Sequence, residues 1–213
     1  TALEKAGLLK RIHGGAIQVR ENLHTINVNE RLKIHSPEKR IIAKKAVELI
    51  EPGTMVFLGI STINLEIAKL IYQKNLNITL VTNMIDIMKL FTNESSTRLV
   101  FLGGSFNRAR DGFLGSITIE QIKHYKFDVS FLGVVGIDVY DGKVTTYEVD
   151  DGLTKKEVIN CSKKSYIVAQ KVKLKQDGNY VFGHIADFTG FIFEDEIQDN
   201  LKERIVRYGL EII

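Results

Sequence analysis

The sequence predicts an α/β domain built on a mostly parallel, open sheet with helices on both faces. Three observations carry this expectation. The segments 54–58 (TMVFL), 77–81 (NITLV), 98–102 (RLVFL) and 128–133 (DVSFLG) are nearly unbroken apolar runs, the pattern of strands covered on both sides. Stretches between them place apolar residues at helical spacing, as at Leu65, Ala68 and Ile71. Small, hydroxyl or amide residues then follow each strand: Gly59-Ile60-Ser61-Thr62, Thr82-Asn83, Gly103-Gly104-Ser105 and Gly133 through Asp138. In open α/β sheets, ligands bind beyond the carboxyl ends of the strands, where such loops let the backbone approach closely.

Thr1 to Ala6 reads as the tail of a helix stopped by Gly7, and Leu8 to His13 as a strand turning at Gly14-Gly15. A helix stub and one strand bury little, so residues 1–16 are expected to be the remnant of a small module whose beginning is absent. Residues 17–35 have no sustained period and read as a polar connector, which leaves 36–213 as the α/β domain. Ser36 and Pro37 open a helix over 37–50 that stops at Glu51-Pro52-Gly53. Strand 54–58 and helix 64–73 follow, then strand 77–81, helix 84–92, strand 98–102, helix 116–125 and strand 128–133. The alternation continues with helix 152–162, strand 165–169, a short strand near Phe191 to Phe193, helix 196–207 and strand 210–213.

With 44% hydrophobic and 26% charged residues among 213, the chain is ordinary globular material. No apolar run approaches the roughly 20 residues that span a bilayer, and the first residues lack the apolar core of a signal peptide. A cytosolic protein without a membrane partner is expected. The single Cys161 reads as a packed helix residue, and His13, His24, His35, His124 and His184 are scattered. Neither a disulfide, a metal nor a cofactor is therefore expected. The net charge of +3 hides an asymmetry, since residues 1–45 carry ten Lys/Arg against four Asp/Glu. Lys39, Arg40, Lys44 and Lys45 interleave with Ile41, Ile42, Ala43, Ala46 and Val47, which reads as an amphipathic helix with a solvated basic face. Contact with a polyanion is the alternative.

The strand, loop and helix of residues 54–72 allow two readings. Ser61 or Thr62 caps the helix while Glu66 complements its dipole. Alternatively, the amides at the helix start, which have no partner within the helix, hold a phosphate or carboxylate. Each loop alone is a weak signal, and four of them on one sheet edge point to a convergent cleft for a small polar ligand.

The ordered set LEKAGLLKRIHGGA, KRIIAKKAVELIEPGTMVFLGIST, LVTN, FLGGS, FLGVVGID and the first lysine of TKKEVI resembles, nearly end to end, the DeoR family of bacterial transcriptional regulators. The resemblance implies an N-terminal winged helix-turn-helix that reads operator DNA. It also implies a C-terminal domain, related in fold to ribose-phosphate isomerases and CoA transferases, that senses a sugar phosphate. Residues 1–16 would then be the last helix turn and wing. The implied effector-binding set is Gly59, Ser61, Thr62, Thr82, Asn83, Gly103, Gly104 and Lys155. Ser61 and Thr62 would hold the phosphate with backbone amides, Asn83 and the Gly103-Gly104 backbone would meet hydroxyls, and Lys155 would add charge.

The family's phosphate loop usually reads Asp-Ser-Gly-Thr-Thr, whereas Gly59-Ile60-Ser61-Thr62-Ile63 stands here and only Thr62 matches. Ala169-Gln170-Lys171 also replaces a common Ala-Asp-Ser. These departures imply an altered effector or weaker binding of the usual one. Resemblance to regulators that act on paired half-sites implies a homo-oligomer, with Phe182, Phe188, Phe191 and Phe193 as one candidate contact surface, although a strand in the core is the expected home of Phe191 and Phe193. The related fold leaves a sugar-phosphate isomerase as the alternative, which needs a base near the cleft. Asp111, Asp138, Asp141, Glu148, Asp150 and Asp151 are the candidates, none in a motif that marks a base, and Asp138 reads as a loop-ordering residue. The expectation is a repressor of sugar catabolism, not an enzyme.

Overall fold

A computed structural model of the protein describes residues 9–12, 15–18, 36–109 and 111–213. Strands β1 (Leu9–Ile12) and β2 (Gly15–Gln18) pair antiparallel. The expected strand is present, and its partner takes residues assigned to the connector. The helix tail expected at Thr1 to Ala6 and the rest of the connector lie outside the described residues.

Seven strands make the main sheet: β3 (Met55–Leu58), β4 (Thr79–Thr82), β5 (Arg98–Phe101), β8 (Phe127–Gly133), β11 (Ser162–Val168), β13 (Gly190–Ile192) and β14 (Glu211–Ile212). Their order is β14-β13-β11-β8-β3-β4-β5, and every pairing is parallel. Parallel strands need crossovers, and the chain supplies helices for them. Period-two alternation divides the core: Val56 and Leu58 face one side while Phe57 faces the other, as Tyr166 and Val168 do against Ile167. Helices α1 (Ser36–Val47), α2 (Thr62–Gln73) and α3 (Ile85–Leu90) cover the first face with Ile42, Ala46, Ile67, Ile71 and Ile87. Helices α4 (Ser116–Ile122), α5 (Val149–Asn160) and α6 (Asp199–Arg207) cover the second with Ile122, Val158 and Ile205.

Five further short strands lie outside the expected set. Strands β9 (Gly136–Asp138), β10 (Lys143–Thr146) and β12 (Tyr180–His184) form an antiparallel sheet in the order β12-β10-β9. A hairpin of β6 (Ser105–Asn107) and β7 (Gly112–Leu114) follows β5. Phe182, Phe188, Phe191 and Phe193 are all buried in the second core, which removes them as a contact surface. The basic face of α1 is also narrower than expected. Arg40 and Lys44 are exposed, but Lys39 is buried and the Lys45 ammonium donates to the Phe193 carbonyl at 2.9 Å. Cys161 lies just past α5 and is half-buried.

Candidate functional site

The carboxyl ends of β3, β4 and β5 lie side by side, with Leu58 opposite Thr82 and Thr82 opposite Phe101 in the register. Seven of the eight expected site residues are in the loops that leave these ends. Helix α2 starts two residues earlier than the periodicity suggested, so Thr62 is its first residue and Ser61 its N-cap. Ser61 is extended, and its Oγ accepts from the Ile63 amide at 3.2 Å. That bond leaves the Thr62 and Asn64 amides without a partner inside the helix, at the positive end of its dipole. Strand β8 closes on the cap from the other side: a Cβ at Gly133 would fall 2.5 Å from Ser61 Oγ. Ile60 lies over Gly112 of β7, so the apolar residue in the loop docks the hairpin.

Asn64 was not expected here. It occupies a position on the buried stripe that also holds Ala68 and Ile71, and a polar residue on such a stripe is a signal the sequence did carry. Its Nδ2 donates to the Gly59 carbonyl at 2.9 Å and the Phe131 carbonyl at 2.8 Å, joining the loop to β8. Its Oδ1 is buried without a hydrogen-bond donor.

On the next strand end, Thr82 Oγ1 donates to the Leu58 carbonyl at 2.7 Å and accepts from the Met84 amide at 3.2 Å. Thr82 thus ties β3 to β4. Asn83 Nδ2 donates to the Phe113 carbonyl at 2.8 Å, the Phe113 amide donates to the Asn83 carbonyl at 2.9 Å, and Asn83 Oδ1 is buried with no donor. After β5, the Gly103 carbonyl accepts from Thr118 Oγ1 at 2.8 Å and Gln121 Nε2 at 3.2 Å. Gly104 has φ +151°, and a Cβ there would collide with Thr118 Oγ1. Buried amide oxygens without donors are costly, about 1–3 kcal/mol each. A ligand or water that offers hydrogens would remove that cost.

Lys155 sits apart on α5. Its ammonium is buried, 2.5 Å from Asp151 Oδ2 and 5.6 Å from the centre of the Phe182 ring. Thr146 Oγ1 donates to the same carboxylate oxygen. The expected phosphate cation is thus part of a buried ion pair that fastens α5 to β10.

Four more of the carboxylates weighed as bases have partners. Asp111 accepts from the Asp86 amide at 3.1 Å, and burial followed by the Asp86 charge raises its carboxyl above the usual range. Asp138 Oδ1 accepts from the Tyr140 and Asp141 amides, as a loop-ordering residue would. Asp141 pairs with Lys143 at 2.8 Å, and Glu148 Oε2 accepts from Asn107 Nδ2 at 2.7 Å.

The geometry brings strand-end loops, a capped helix start and two buried amide oxygens without donors to one edge of an α/β sheet. Residues 34–195 match the profile of the DeoR C terminal sensor domain. The chain belongs to the DeoR family. A putative aga operon transcriptional repressor of Escherichia coli O157:H7 is 27% identical over 99% of this chain and 78% of its own length. An HTH-type transcriptional regulator FruR of Bacillus subtilis is 31% identical over 97% and 82%, and a lactose phosphotransferase system repressor of Staphylococcus epidermidis is 27% identical over 99% and 83%. These relatives are named as regulators, not enzymes. Among solved structures, eIF2B delta from Chaetomium thermophilum shares the fold at 11% identity and TM-score 0.55, over 78% of this chain and 58% of that one. A ribose 5-phosphate isomerase from Methanocaldococcus jannaschii aligns at TM-score 0.45 over 68% of this chain and 54% of that one, a likeness too loose to bear on chemistry. The chain spans just over half the length of these two solved chains.

Proposed function

We propose that the chain is the effector-sensing part of a cytosolic transcriptional repressor of sugar use, and that its effector is a phosphorylated sugar or a related metabolite. The observation that carries this reading is the pairing of opposite needs at one sheet edge. The start of α2 offers amide donors and a positive dipole end to an anion, while Asn64 Oδ1 and Asn83 Oδ1 nearby have no donor. A ligand bearing both an anionic group and hydroxyls meets both needs. Ser61 and Thr62 with the Gly59 loop would hold the anion, and Thr82, Asn83, Gly103 and Gly104 would line the hydroxyl side. Lys155 would act through the local field. Operator DNA is the macromolecular partner, and the antiparallel β1–β2 pair suits the wing of a winged helix-turn-helix that reads it. Paired half-sites favour a homo-oligomer.

A thermal-shift screen against sugar phosphates, followed by titration calorimetry, tests this. A ligand at 100 times its dissociation constant adds about 2.7 kcal/mol to folded-state stability. Thr62→Val removes a hydroxyl at nearly constant volume and is expected to weaken the best phosphate ligand on the order of tenfold to a hundredfold. Equal affinity for that ligand and its unphosphorylated form would refute the phosphate site.

A further inference from the structure

The β6–β7 hairpin is attached unlike the elements around it. A glycine stands at each root, Gly104 with φ +151° and Gly115 with φ +92°, both in the region that side chains disfavour. Between the roots the two strands bond to each other, Ser105 opposite Leu114 and Asn107 opposite Gly112. Three sets of bonds hold the outer face of the main sheet edge to the hairpin. The Phe113 amide donates to the Asn83 carbonyl at 2.9 Å and its carbonyl accepts from Asn83 Nδ2. At the far end, the Ile85 amide donates to the Asp111 carbonyl and the Asp86 amide to Asp111 Oδ2. Asn107 reaches Glu148, the residue that precedes α5, at 2.7 Å. Asp111 itself has φ +58°, a conformation a non-glycine residue adopts at a cost. Phe106 on the hairpin is half exposed, and the apolar contacts that secure it lie along β7, where Leu114 is buried and Phe113 packs edge-on against Phe101. Beneath it lies Asn83 Oδ1, buried and without a donor.

We propose that this hairpin is a strap that swings as a unit about Gly104 and Gly115, and that it uncovers Asn83 Oδ1 for a hydroxyl of the effector and then closes over it. The proposal rests on the effector reading for its second half only, because the swing itself belongs to the ligand-free protein. Breaking the latch bonds frees three amides, Phe113, Ile85 and Asp86, while the bonds between β6 and β7 survive. These three should therefore exchange hydrogen for deuterium at one shared rate, at least tenfold faster than Leu80 of β4 and Phe131 of β8. Asp111→Gly suits the positive φ and deletes the Oδ2 acceptor, and it should speed all three by a further tenfold without changing Leu80 or Phe131.

Exchange read by NMR on the whole chain decides the matter, first alone and then with glucose 6-phosphate, ribose 5-phosphate and inorganic phosphate. Exchange of the three amides only at the rate of Leu80 and Phe131, in wild type and in Asp111→Gly, would overturn the strap. A probe that raises the melting temperature yet does not slow the three amides would overturn closure over the ligand and leave the effector reading standing. Fast shared exchange with no probe binding would support the swing while counting against a phosphorylated effector.

Discussion

A lysine ammonium 2.5 Å from a buried carboxylate is first a structural group, whatever else it does. Removing one partner of such a pair strands the other, at a cost of about 3–5 kcal/mol. Lys155→Ala is therefore expected to lower stability by that order, with Asp151 left buried and uncompensated. The double variant Lys155→Met with Asp151→Leu should recover most of the loss in urea unfolding. If that variant also binds the best effector as tightly as wild type does, Lys155 has no part in binding. Asp128 is the opposite case, near the surface at the other end of the sheet. The Lys163 ammonium at 2.7 Å and the Met55 amide at 2.8 Å hold its carboxyl below the usual range. A depressed folded value contributes stability above the unfolded value, near the model-peptide 3.8, and that stability is lost as pH falls through the lower folded value. Asp128→Asn should flatten the acid limb of the stability profile below about pH 4; an unchanged limb in thermal melts would sink the assignment.

At the scale of elements, the long strands and helices were legible because burial on both faces writes itself as unbroken apolar runs, and one-sided burial as a helical stripe. The five missed strands are three to five residues long, too short for either pattern to develop: Ser105–Asn107 is exposed or half-buried throughout, while Gly112–Leu114, Gly136–Asp138 and Lys143–Thr146 are mostly buried. The start of α2 moved by two residues because the cap at Ser61 decides the boundary, and Ile63 then joins the buried stripe one turn before Ile67. Seven of the candidate residues stand at the strand ends, where the loop chemistry pointed, but the environment of Lys155 was not legible. The Phe182 ring beside it comes from a distant part of the chain, and sequence spacing shows only Asp151 four residues away, not the Thr146 hydroxyl that donates to the same carboxylate. Asn64 fixes the loop between β3 and α2 to β8. Asn64→Leu leaves the buried Gly59 and Phe131 carbonyls without its donors and is expected to cost about 1–3 kcal/mol in chemical unfolding. A neutral result would mean that water replaces the amide at both carbonyls.

On the scale of the whole molecule, the parallel order of the sheet brings the ends of β3, β4 and β5 to one edge, and the two cores make that edge rigid from both faces. The aromatic cluster near residue 190 illustrates what a sequence hides at this scale. Phe191 and Phe193 read as part of a core strand, whereas for Phe182 and Phe188 only the fold shows that the second core closes over them. Phe182→Ala is thus expected to cost about 3–5 kcal/mol of stability. Wild-type stability together with a changed molecular mass in light scattering would restore the contact-surface reading. The sheet order carries one more consequence, for the chain as it is made. Val56 of β3 pairs with Val129 of the central strand β8, so one side of β3 has no partner until β8 has been synthesised. Ribosomes add about 5–20 residues per second, which leaves the apolar edge Met55–Leu58 open for roughly 4–15 s while translation covers that gap. Nascent chains stalled before residue 127 should recruit chaperones along this edge, and release once β8 emerges.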